Sequence, residues 1–114
     1  MIGVLVGMYT SGCARGEPAP AAPTHDHFRA IQEEEARIAS GGAVVDAEVA
    51  RAEPACDRAC AAVDEVCDAA ERLCRVARAV DDADARKRCR RGRASCRSAS
   101  TRAAEQCACG GDTP

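Results

Sequence analysis

The sequence predicts an all-α fold: an antiparallel helical hairpin stapled by about four disulfides, preceded by a short amphipathic helix and a flexible N-terminal tether. Three observations lead there. Eight of the nine cysteines lie in one stretch, at Cys56, Cys60, Cys67, Cys74, Cys89, Cys96, Cys107 and Cys109, and their recurrent steps of four and seven are helical repeats that align side chains on one face. On the helix faces that carry them, the intervening positions are Val63, Ala70, Ala77, Ala85, Gly92, Ala99 and Ala103, small enough for two helix axes to approach to about 8 Å. Large apolar residues are scarce. From residue 13 onward the chain has one Leu, two Ile, seven Val and one Phe, or 11 of 102 residues, about half the roughly 20% below which a charged chain is expected to stay disordered. Burial of alanine yields little transfer free energy, because that energy scales with apolar area. A small domain in this position takes its stability from disulfides or a metal.

Residues 1–12, MIGVLVGMYTSG, lead into Cys13. The apolar run Ile2 to Tyr9 is far shorter than the about 20 residues that span a bilayer. A short apolar run followed by small residues has the form of a secretory signal. Thr10-Ser11-Gly12-Cys13 resembles the lipobox of bacterial lipoproteins, in which the cysteine is lipidated and becomes the mature N-terminus. Ser11 and Gly12 match the small residues of that motif. Thr10 departs from its usual aliphatic, and a basic stretch before the apolar run is missing, which an initiation site further upstream would supply. The resemblance implies lipid attachment at Cys13 and export to the bacterial envelope, on the periplasmic or surface face of the outer membrane.

Residues 13–27 read as the tether, since Pro18, Pro20 and Pro23 favour extended chain over packed helix. The only two histidines stand in His25-Asp26-His27. Metal ligation is conceivable for such a pair, but a helix start fits better, with Asp26 supplying the cap oxygen. Residues 28–53 read as one or two short acidic helices. Phe28, Ile31 and Ile38 lie on one side of the first, Glu33 to Glu35 on the other. Gly41-Gly42 ends it, and Val44 to Glu53 forms the second.

Residues 54–109 are the hairpin. Pro54 suits the first turn of a helix, and nothing from there to about Val80 breaks one. Cys60, Cys67 and Cys74 share one heptad position, and Cys56, Val63, Ala70 and Ala77 the other. Asp81-Asp82-Ala83-Asp84 provides turn and cap chemistry. The second helix runs from about Asp84 to Gln106, with Ala85, Cys89, Gly92, Cys96, Ala99 and Ala103 inside. Residues 110–114, beginning Gly110-Gly111, form a disordered tail.

In an antiparallel hairpin, facing residues have a nearly constant sum of positions. Cys74 with Cys89, Cys67 with Cys96 and Cys56 with Cys107 all give 163. Cys60 then pairs with Cys109 folded back over the helix end, or the last two pairs are exchanged as Cys56–Cys109 and Cys60–Cys107. The small residues of the seam allow the Cα separation of roughly 4.4–6.8 Å that a disulfide needs. Cys56-x3-Cys60 and the two CX6C pairs Cys67/Cys74 and Cys89/Cys96 resemble the stapled α-hairpins of mitochondrial twin-CX9C proteins and plant hairpinins. The spacing differs from both families, so the resemblance implies architecture alone.

The chemistry that remains is charge. Arg86, Lys87, Arg88, Arg90, Arg91 and Arg93 place six cations within eight residues, and residues 67–114 carry 11 basic and 7 acidic groups against 5 and 11 in residues 1–66. Such a run is either a solvated helix face or a contact for anionic lipid, lipopolysaccharide or an acidic protein surface. Nucleic acid fits poorly, because aromatics to stack on bases are lacking. Cysteine-only metal sites cluster as CxxC knuckles, and none occurs here. No catalytic constellation or cofactor motif is present, so an enzyme is not expected. The sequence therefore reads as an envelope-anchored lipoprotein with a structural or interaction module. A periplasmic thiol protein that binds copper or zinc, or exchanges disulfides, is the alternative.

Overall fold

Three helices account for the chain between residues 25 and 104: α1 (His25–Val49), α2 (Cys56–Arg78) and α3 (Ala83–Ala104). The structure is a computed structural model that describes residues 21–110 and, before them, Gly3 alone. The proposed signal segment, Cys13, most of the tether and the tail after Gly110 lie outside the described residues.

The hairpin is formed by α2 and α3. Cys74–Cys89 and Cys67–Cys96 hold their Cα atoms 4.7 Å apart, Cys56–Cys107 5.4 Å and Cys60–Cys109 5.2 Å. Three rungs follow the constant sum of 163, and Cys109 closes the fourth beyond the end of α3. Asp82 caps α3, its carboxylate accepting the Ala85 N–H at 2.8 Å. Ala85, Cys89, Gly92, Ala99 and Ala103 are buried, and Cys96 is half-buried.

The segment before the hairpin differs from the sequence expectation. A single 25-residue helix runs unbroken through Gly41-Gly42 and Val44 to Val49. A mid-helix glycine costs about 1 kcal/mol relative to alanine, and packing on α2 offsets it. The cap is also different. Thr24 has extended backbone angles, its hydroxyl accepts the His27 N–H at 3.3 Å, and its own N–H donates to His27 Nδ1 at 3.0 Å. That reciprocal pair is a capping box with histidine in the usual glutamate place. Asp26 sits inside the first turn, where the helix dipole favours a carboxylate. The helix thus begins before residue 27, and the tether is shorter than expected.

Two heptad rows of α1 face inward. Ile31, Ile38 and Val45 form one, and Glu34, Gly41 and Glu48 the other; all six are buried. Opposite them lies a second face of α2, made of Ala59, Ala62, Val66, Ala69 and Leu73, all buried and distinct from the cysteine face. Gly41 lets the helices close: an added Cβ would stand 2.7 Å from Val66 Cγ2. Both buried glutamates are paired. Glu34 accepts from Arg72 Nε at 3.1 and 3.2 Å and from Arg37 at 2.7 Å. Glu48 faces Arg58 at 3.8 Å and Arg51 at 3.1 Å. Glu34 with Arg72 and Glu48 with Arg58 each sum to 106, so α1 and α2 have a register of their own. The hairpin and α1 together make an up-down-up bundle in which α1 and α3 run parallel.

Pro54 lies outside α2 rather than in its first turn, because the helix starts at Cys56 after Ala55. Ala55 offers no side-chain cap. Instead Glu48 reaches across the connection and accepts the Ala55 N–H at 2.9 Å, the part an N3 glutamate plays in a capping box.

Candidate functional site

The six-cation run occupies the first three turns of α3, where 100° per residue spreads it around the helix. Arg88 turns toward α1. Its guanidinium meets Glu35 at 3.1 Å and Asp84 at 2.9 Å, and lies 5.8 Å from the centroid of the half-buried Phe28 ring. Arg88 therefore fastens α3 to α1 and is engaged within the bundle. Arg86 pairs with Asp81 at 3.2 Å on the exposed turn. Lys87, Arg90, Arg91 and Arg93 are exposed, and among the described residues none of them forms an ion pair.

Beside this run an open groove of about 630 Å³ separates α1 from α3. Val66 and Leu73 of α2 and Ile38 of α1 form its floor, and the small residues Gly42, Gly92 and Ala99 its walls. Glu35–Arg88 bridges it at one end and Asp46–Arg102 at the other. It exists because α1 and α3 both pack on α2 and the small residues they turn toward each other leave the space between them unfilled.

The N-terminal segment meets the bundle at the same end as the cations. The Ala21 N–H donates to the Ala79 carbonyl at 3.0 Å, and the Asp81 N–H donates to the Ala21 carbonyl at 2.9 Å. These bonds tie Ala21 to the α2–α3 turn in a parallel bridge with Val80. The two registers divide the bundle by height, since residue 37 faces 69 across the sum of 106 and residue 69 faces 94 across 163. The half next to Ala21 (residues 21–37 and 69–94) carries 11 basic and 8 acidic groups, net +3; the far half (38–68 and 95–110) carries 4 and 8, net −4. The resulting −1 becomes the stated −2 when Arg15, Glu17 and Asp112 are added. The molecule is polarised along its length, with the cationic end where the N-terminal segment enters. Reading the run by position alone missed this, because height emerges only once both registers are known.

The remaining candidates hold structural places. His27 Nδ1 is engaged in the α1 cap. All eight cysteines of the hairpin are in disulfides, and among the described residues no three His, Cys, Asp or Glu side chains converge as a metal site would require. None of the described helices is long and apolar enough to cross a membrane. The Glu48 carboxyl is held below its ordinary range: the Ala55 N–H favours its ionised form first, burial opposes this, and Arg51 and Arg58 reinforce it.

Fold and site together define a small disulfide-stapled three-helix module with one cationic end. No protein-family model, curated protein or solved structure matches the chain.

Proposed function

We propose that this chain is a small lipoprotein of the bacterial envelope, anchored through Cys13 to the outer membrane on its periplasmic or surface face, whose stapled bundle is a non-enzymatic structural or interaction module. The observation that carries this reading is the division of the cysteines. Every cysteine from Cys56 to Cys109 has a partner across the hairpin, which leaves Cys13 as the odd one, directly after an apolar run and Thr10-Ser11-Gly12. Disulfides of this density belong to oxidising compartments. The partners that suit the module are anionic lipid, lipopolysaccharide or an acidic protein surface; its charge pattern and lack of aromatics do not suit nucleic acid.

Expression in a bacterial host with labelled palmitate tests the anchor. The full chain takes up label and stays with membranes washed at about 300 mM salt, which removes electrostatic binding, and Cys13→Ser abolishes both; a wild-type chain without label, or a Cys13→Ser chain that keeps it, sinks the anchor. Intact mass without reductant tests the module: a deficit of about eight hydrogens against the reduced chain marks four disulfides. Several free thiols or a co-purifying copper or zinc ion would favour a thiol protein instead.

A further inference from the structure

We infer that the bundle stands end-on, with its α2–α3 turn toward the membrane, and that Lys87, Arg90, Arg91 and Arg93 engage the headgroups of anionic phospholipid there. The inference rests on the lipid anchor proposed at Cys13. Its geometry comes from Ala21, which is hydrogen-bonded to Ala79 and Asp81 at that turn. The eight steps from Cys13 to Ala21 reach at most about 28 Å when fully extended. An anchored chain therefore presents this end to the bilayer.

Charge is placed to match. The half of the bundle that the anchor would hold nearest the lipid is net +3 and the other net −4. Arg93, ten residues into α3, lies within about 15 Å of its start. The intramolecular partners are already taken: Asp84 and Glu35 go to Arg88, and Asp81 goes to Arg86. The four remaining cations lie beyond the first turn of α3 and are exposed. No ion pair among the described residues uses them, whereas an anionic surface within a Debye length attracts each one. The far end would be repelled by the same surface, so attraction and repulsion favour one orientation.

The test removes the anchor from the measurement. Full-length Cys13→Ser chain, with disulfides intact, is floated with vesicles containing about 30% phosphatidylglycerol and with vesicles of phosphatidylcholine alone. At about 50 mM salt the chain binds the anionic vesicles at least about tenfold more strongly, and about 300 mM salt abolishes the difference. Adding Lys87→Gln, Arg90→Gln, Arg91→Gln and Arg93→Gln lowers binding at least about tenfold, with the helical circular dichroism unchanged because Gln and Arg have similar helix propensity. The far-end pair Arg97→Gln and Arg102→Gln changes it less than about twofold. Equal binding to both vesicles, an equal loss from the far-end pair, or binding retained by the fourfold variant would each overturn the inference. Failure here concerns the cationic end alone, because absence of palmitate on the wild-type chain is what removes the anchor.

Discussion

Gly41 of α1 lies so close to Val66 of α2 that a Cβ in place of its hydrogen would stand 2.7 Å from Val66 Cγ2 and 3.2 Å from the Ala62 carbonyl oxygen. Its neighbour Gly42 has nothing within 4 Å of the corresponding position. The same substitution therefore has opposite signs at adjacent residues. Gly41→Ala forces α1 and α2 apart and destabilises by about 1–3 kcal/mol. Gly42→Ala stabilises by about 0.5–1 kcal/mol through helix propensity. Urea unfolding of the two oxidised variants separates them, and a stabilising Gly41→Ala would refute this packing of α1.

Glu48 makes the α1–α2 connection sensitive to acid. Its carboxylate accepts the Ala55 N–H and faces Arg51 and Arg58, which hold its pKa down. As pH falls, the unfolded chain binds this proton before the folded one does. The stability that Glu48 contributes is thus complete above about pH 5 and declines from about pH 4.5 downward. In urea unfolding, Glu48→Gln is less stable than wild type near neutrality, and the gap closes as pH falls through the folded value. A gap that stays constant to pH about 3 would rule Glu48 out as the acid-sensitive group.

Arg88 differs in kind from the other cations of its run. Removing it with Arg88→Ala breaks contacts with Glu35, Asp84 and Phe28, and costs about 1–2 kcal/mol in total for partly exposed ion and cation–π pairs. Phe28→Leu overlaps with it, so the double variant loses less than the sum of the singles. Strict additivity in that cycle would show that ring and guanidinium do not interact.

The disulfides carry stability that the core does not. Cys74–Cys89 closes 15 residues and Cys67–Cys96 closes 29, worth about 3 and 3.6 kcal/mol respectively in the chain-entropy model. Paired Cys→Ser replacement of either lowers the thermal midpoint, and complete reduction collapses the helical signal at 222 nm. A helical signal that survives reductant would mean that the packed alanine seam suffices.

The hairpin was legible because disulfide chemistry and helix periodicity leave marks at fixed spacing: one sum, 163, ordered three of the rungs. The packing of α1 was not. Gly41-Gly42 has the composition of a helix stop, and only the presence of α2 reveals it as a point of contact. Glu34 and Glu48 look like surface acids until Arg72 and Arg58 are seen at their own constant sum, 106, a signal that a search for complementary charges at fixed register would have found. The cationic run could be read by eye, but its division between Arg88, bound within the bundle, and the exposed Lys87, Arg90, Arg91 and Arg93 depends on where α1 lies.

The Cys56–Cys107 rung has a mechanical consequence. Tension drawn between an N-terminal hold and the far end of the chain passes along residues 21–55, crosses directly from Cys56 to Cys107, and leaves through residue 108. The fifty residues between them are shunted out of the load path. Pulling can peel α1 from α2 and unfurl it, but it cannot unzip α2 from α3 while that bond holds. Among the described residues the extensible part is α1, and the hairpin is a block of fixed length.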